Sequence, residues 1–312
     1  MRVLAIPLVA LSSVRALESR DTTRALPQFV RDRWENDRGF PGGRVYAITQ
    51  TADGYLWIGA ERGLVRFDGL TFQLFEPDRA AKKIGPAVLG AVGAPDGSLW
   101  ARLRGPALVR YRNGGFEDIL PRVGAPESVV SAMTPGRGGS VLLATVGRGA
   151  VIYRKDSFEE IALTARLPSP SFVVSLAESS AGEFWLGTRD AGLLRVSGSQ
   201  ITRVTQGLPD LKVNCLLPGE NGELWIGTDK GVVRWTGSGL TRTGIPGALH
   251  AVSAVAMMRD SASNMWISPG SKGLLRVDRR GTVAAADVAQ ASITFEDREG
   301  NIWIGTDRGI ER

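Results

Sequence analysis

Asn221-Gly222-Glu223-Leu224-Trp225-Ile226-Gly227-Thr228 and, at the end of the chain, Glu299-Gly300-Asn301-Ile302-Trp303-Ile304-Gly305-Thr306 are one short phrase written twice. The phrase returns as Asp53-Gly54-Tyr55-Leu56-Trp57-Ile58-Gly59, Asp96-Gly97-Ser98-Leu99-Trp100, Gly182-Glu183-Phe184-Trp185-Leu186-Gly187-Thr188 and Asn264-Met265-Trp266-Ile267. A seventh copy, Gly139-Ser140-Val141-Leu142-Leu143-Ala144-Thr145, places leucine at the tryptophan position. The anchors are then Trp57, Trp100, Leu142, Trp185, Trp225, Trp266 and Trp303, and the six intervals between 57 and 303 give a mean period of 41 residues. A fixed period of that length means a repeat architecture in which each unit buries its apolar face against the next.

Nine or ten positions after the anchor most units carry a second landmark, as in Gly63-Leu64-Val65-Arg66, Gly192-Leu193-Leu194-Arg195 and Gly231-Val232-Val233-Arg234. The third unit, Gly149-Ala150-Val151-Ile152-Tyr153, departs from the arginine. Within the first unit, 45–51 is rich in β-formers, Asp53-Gly54 signals a two-residue hairpin, and 55–59, 64–67 and 71–75 follow as three further strands. Four antiparallel strands every 41 residues describe a propeller blade. The expectation is an all-β, seven-bladed β-propeller over 28–312, with the tryptophans as the apolar filling between blades. Residues 28–34 supply the outer strand of the last blade, and the seventh unit reads as cut at Arg312, inside its third strand.

Composition agrees and excludes much else. The 312 residues include 39 glycines and 16 prolines, above the average share of roughly 12%, so turns are frequent and elements short. The longest apolar run, 3–11, is broken by Pro7, whereas a membrane helix needs roughly 20 residues. One cysteine, Cys215, allows no intrachain disulfide, and one histidine, His250, removes every mechanism that needs two. A net charge of +6 is small and scattered, without a polybasic run, which argues against a nucleic-acid partner. Residues 1–16 read as a secretory leader ending Val14-Arg15-Ala16, with 17–27 as a linker; removing Arg2 and Arg15 leaves +4.

Arg33-Trp34, Gly39-Phe40-Pro41, Asp53-Gly54-Tyr55-Leu56-Trp57-Ile58-Gly59 and Gly63-Leu64-Val65-Arg66-Phe67-Asp68-Gly69 together resemble the start of the two-component regulator propeller family, and Gly207-Leu208-Pro209 repeats the lead-in. The pattern is unlike WD40, because tryptophan is followed by Ile-Gly-Thr. Ala60, Ala101 and Ser268 depart from the family's threonine or glycine. The resemblance implies a periplasmic ligand-sensing propeller of a histidine-kinase-type regulator. A membrane segment, an output module and a homodimer formed through the full-length protein are further implications, and none of those parts lies in this sequence.

No P-loop, nucleophile-elbow serine or dinucleotide fingerprint occurs, and 297–301 lacks the closing glutamate of a calcium loop. His250 reads as a satisfied loop or strand residue, and no cofactor or metal site is expected. Propeller folds also host lyases and lactonases, so an exported propeller enzyme and a protein-interaction scaffold are the competing readings. One pattern goes beyond packing. Between its second and third strands each unit places a basic residue, namely Arg62, Arg104, Arg148, Arg189, Lys230, Lys272 and Arg308, partly offset by Glu61, Asp190, Asp229 and Asp307. Equivalent turns of a closed ring share one end, so these residues are expected to rim a mouth that takes an anionic small molecule or saccharide.

Overall fold

The computed structural model describes residues 31–75, 86–123, 129–146, 149–163, 167, 172–180 and 183–312. The expected leader and linker, 1–27, lie outside the described residues. Seven four-stranded antiparallel sheets succeed one another. Blade 1 is Val45–Gln50, Leu56–Ala60, Gly63–Phe67 and Phe72–Phe75, within a residue or so of the strands read from the sequence. The inner strands of the following blades are Val88–Gly93, Val130–Pro135, Val173–Ser180, Val213–Pro218, Ala256–Arg259 and Ala291–Glu296. These inner strands neighbour one another in an unbroken cycle of seven. The seventh blade takes its outer strand, Arg33–Glu35, from the other end of the chain, where Trp34 pairs with Ile310.

The first hairpin is longer than a two-residue turn. Gly54 N donates to Thr51 O and Thr51 N to Tyr55 O, leaving three residues at the tip. Gly54 takes the positive φ of +92° that closes such a loop, and Asp53 accepts from the Thr51 hydroxyl at 2.6 Å.

The two recurring landmarks are one interaction. Trp57 lies directly across from Arg66 in the ladder, Trp100 from Arg110, Trp185 from Arg195 and Trp225 from Arg234. In each pair the guanidinium lies over the indole, at 5.9, 5.8, 5.6 and 5.5 Å from the ring centre. An arginine so placed is worth about 0.5–2 kcal/mol and covers the apolar ring with its stem. In blade 3 an aliphatic pair, Leu142 opposite Ile152, takes the place of both the ring and the cation.

The indole N–H follows a second rule. Trp57 donates to Thr51, Trp185 to Ser179, Trp266 to Asp260 and Trp303 to Asp297, each six residues earlier at the end of the inner strand or the start of its turn. The buried Nε1 atoms of Trp100 and Trp225 have no partner. Six residues before them stand Ala94 and Gly219, which carry no side-chain oxygen.

Closure concentrates aromatic rings where the ends of the ring meet. Trp34 stacks on Trp303 at 5.7 Å and meets Phe72 edge-on at 5.6 Å, over the fully buried Phe40. Asp32 and Arg312 exchange two backbone hydrogen bonds, at 3.0 and 2.9 Å, and the buried Glu311 carboxylate pairs with Arg31 and Arg33.

Replacing Ala94 by threonine supplies the acceptor that Trp100 lacks. Urea denaturation of Ala94→Thr is expected to show a gain of about 1 kcal/mol over the isosteric Ala94→Val. Equal stability of the two variants would remove the hydrogen-bond explanation.

Candidate functional site

Strand direction decides which loops share an end of the ring. Gly93 N donates to Thr49 Oγ1 at the late ends of two neighbouring inner strands, and Ser292 Oγ donates to Val45 O at two early ends. Neighbouring inner strands are therefore parallel, and every turn between second and third strands lies on the end where the chain enters each blade.

Arg62, Arg104, Arg189, Lys230, Lys272 and Arg308 occupy those turns and are all exposed; Arg148 lies outside the described residues. Their surroundings differ. Lys230 is 2.7 Å from Asp210, in the connection into its own blade, and Lys272 is 2.9 Å from Asp287, in the connection out of its blade. The hydrogen bonds from these lysines hold Asp210 and Asp287 below the usual carboxylate range, and Asp210 in turn raises Lys230. Arg189 lies over Phe172 at 4.4 Å. Threonine fixes the turns themselves: Thr228 Oγ1 accepts from Lys230 N, and Thr306 Oγ1 from Arg308 N, each at 3.2 Å. Between blades 6 and 7 a cleft of about 590 Å³ carries Arg33, Lys272 and Arg308 against Glu35, Asp287 and Asp307. Its charge is balanced.

A second feature on this end was not read from the sequence. In six blades the pairing of the first two strands slips by one residue at the entry end, between Val45 and Ala47, Val88 and Gly90, Val130 and Ala132, Val173 and Ser175, Val213 and Cys215, and Ala291 and Ile293. A bulge turns a strand and re-aims the extra side chain. The bulged Tyr46, Leu89 and Ser292, with Arg44, Arg102 and Gln290, line a cavity of about 390 Å³ at the entry end of the inner strands.

Arg102 is there by a local exchange. At the corresponding position, two after the anchor, stand Gly59, Gly187, Gly227 and Gly305. A Cβ at Gly59 would lie 2.9 Å from the Val88 carbonyl oxygen, and one at Gly305 2.5 Å from Val45 Cγ1, so the next blade leaves no room for a side chain. Blade 2 reverses the assignment. Its inner strand carries Gly90 opposite Arg102, where an added Cβ would lie 2.8 Å from Arg102 Nε. The guanidinium threads through that space and donates to Val130 O at 3.1 Å. Burial lowers its pKa. The signal in the sequence was the arginine of Trp100-Ala101-Arg102 where sister units have glycine.

The remaining candidates are structural. His250 Nε2 lies 3.1 Å from Ile245 O, at the end of the short helix Gly247–Leu249. Among the described residues no group of three His, Cys, Asp or Glu side chains could hold a metal ion, and no helix is long and apolar enough to cross a membrane.

The sequence profile of the family described as two component regulator propeller matches 39–62, 207–230 and 291–308, which fall on blades 1, 5 and 7. The resemblance read from the sequence is thus shown at the level of the repeat. No curated protein sequence matches the chain. Among solved structures, the extracellular domain of a putative hybrid two component system from B. thetaiotaomicron is similar at a TM-score of 0.77 and 21% identity, over 91% of this chain and 41% of that one. A second such domain from the same organism has a TM-score of 0.69 and 21% identity, over 90% of this chain and 39% of that one. Streptogramin B lyase, at 0.71 and 17%, is matched over 90% of this chain and 96% of the lyase. At these identities the likeness is one of fold, and this chain spans less than half the length of the first regulator domain.

Cys215 lies between blades 5 and 6, its thiol donating to Ala254 O at 3.4 Å, and burial pushes it up to about 12. The reactive species is the thiolate, so alkylation of the folded protein at pH 8 is expected to be slow and to accelerate on unfolding in urea. Rapid labelling of the folded chain would contradict this placement.

Proposed function

We infer that this chain, a ring carrying two component regulator propeller repeats, is an extracytoplasmic recognition module of a two-component regulator. It takes an acidic small molecule or saccharide at the entry end of the ring, without catalysis, and hands the bound state to an output module elsewhere in the full-length protein. The observation that carries the reading is the gathering of exposed basic turns and a cavity with two arginines on one end. Binding residues collect on loops held by a rigid scaffold, and a one-signed rim raises the local concentration of counter-charged ligand. The ion pairs of Lys230 and Lys272 leave Arg62, Arg104, Arg189 and Arg308 as the rim charges without a carboxylate partner among the described residues. Extracytoplasmic placement is supported by the leader-like residues 1–16 and by the fold shared with extracellular regulator domains.

A second reading is favoured by the near-complete cover of the lyase chain. One of the similar structures is a catalytically inactive histidine-to-alanine variant of virginiamycin B lyase from Staphylococcus aureus with quinupristin. The one histidine here is turned to a backbone carbonyl and does not line the entry-end cavity, which supports recognition over elimination chemistry.

Reversing charge at Arg62, Arg189 and Arg308 together is expected to abolish salt-sensitive binding of an oligogalacturonate probe while leaving the melting temperature within a few degrees. The effect should shrink as ionic strength approaches physiological values, where the screening length is about 8 Å. Undiminished binding by the triple variant, or turnover of a streptogramin by the purified protein, would overturn the reading.

A further inference from the structure

In three blades the carbonyl of the first inner-strand residue, beside the bulge, accepts a hydrogen bond from a side chain of the preceding blade. Ser292 donates to Val45 O at 2.6 Å and Ser175 to Val213 O at 3.3 Å, and in blade 6 Cys215 donates to Ala254 O, two residues ahead of the inner strand, at 3.4 Å. Arg102 does the same for Val130 O. A hydroxyl or a thiol is enough for that task. A guanidinium brings five donors and a permanent charge into the same place, and only one donor is used among the described residues. No carboxylate among the described residues pairs with Arg102 or Arg44. A half-buried cation without a counter-charge is destabilising, and an entering anion removes that penalty.

The rest of the cavity carries acceptors and a ring. Gln290 commits its amide NH₂ to Gly270 O at 2.6 Å, and no described residue donates to its Oε1. Ser292 spends its proton on Val45 O and Gly305 O, so its oxygen is left to accept. Tyr46 presents an aromatic ring under the Arg44 guanidinium, 5.8 Å away. Two cations, two free acceptors and one ring suit a molecule with a carboxylate at one end and hydroxyl groups at the other.

We propose that the cavity lined by Arg44, Tyr46, Arg102, Gln290 and Ser292 is a binding site for the carboxylate of a hydroxylated small molecule of the sugar-acid class, with Arg102 as the principal anchor. This deepens the recognition reading above and rests on it. The rim attracts charge over a distance, whereas the cavity selects a carboxylate beside hydroxyls.

Titration calorimetry at physiological ionic strength separates the two roles. D-glucuronate is expected to bind the intact protein, with glucose and sulfate at least about ten-fold weaker, since each lacks half of the recognised chemistry. Arg102→Gly restores the residue of four sister blades and should fold; it is expected to weaken glucuronate at least about ten-fold, the loss of a charged hydrogen bond. Arg102→Met keeps the stem without the charge and should match it, which guards against a folding defect in the glycine variant. The Arg62, Arg189 and Arg308 reversal acts through long-range attraction, so its effect on glucuronate should fade as salt rises, whereas the loss in Arg102→Met should persist. Undetectable glucuronate binding by the intact protein, equal binding of glucose or sulfate, or wild-type affinity in Arg102→Met would each overturn the site. If those failures came with intact rim-dependent oligogalacturonate binding, the broader recognition reading would stand without it.

Discussion

The ring depends on how closely one blade's inner strand approaches the second strand of the blade before it. Gly59, Gly187, Gly227 and Gly305 hold that distance: a Cβ at Gly187 would meet Val213 Cγ1 at 2.7 Å, and one at Gly227 would meet Ala254 Cβ at 2.9 Å. The strand starts that meet these glycines or their counterparts, Val45, Val88, Val130, Val173 and Val213, are all buried. Packing at interior density leaves no slack, so each additional atom at such a position must be matched by one removed across the ladder. The pair Gly90 and Arg102 is that exchange, and it admits a polar side chain to the entry-end cavity without opening the ring.

Between blades the tryptophan and its cross-strand arginine do different work. The ring fills volume, the guanidinium covers its face, and an oxygen six residues earlier takes the indole proton. The three parts need not all be present. Blade 3 dispenses with them and relies on Leu142 against Ile152, while blades 2 and 5 keep the ring and the cation and leave Nε1 without an acceptor. The repeat is thus tolerant in its packing and strict in its spacing, because the ladder register brings the landmarks face to face.

Much of this was legible from residues alone. The period, the blade count, the inter-blade tryptophans and the outer strand borrowed from the start of the chain all follow from the recurrence of Trp-Ile-Gly-Thr and from Trp34 preceding the first unit. Turn geometry was less legible: Asp53-Gly54 reads as a two-residue hairpin, but the Thr51 and Asp53 side chains stabilise a three-residue tip. The bulges were not legible, since a one-residue slip at the start of a strand leaves its alternation of Val, Ala and Ile nearly unchanged. The candidate site suffered most from that. A basic residue in every turn is visible in a sequence, whereas the carboxylates that neutralise Lys230 and Lys272 come from connections about 15 to 20 residues away. Arg102 stood in the open as a departure from the repeat, and its meaning required Gly90 to be seen across the ladder.

A crystal structure of the protein soaked with D-glucuronate tests the central claim, that recognition occurs at the axial entry of the ring, most directly. The account predicts density for the carboxylate within hydrogen-bond distance of the Arg102 guanidinium, with sugar hydroxyls at Gln290 and Ser292. Density confined to the exposed turns, or to the cleft between blades 6 and 7 beside Lys272 and Arg308, would contradict it.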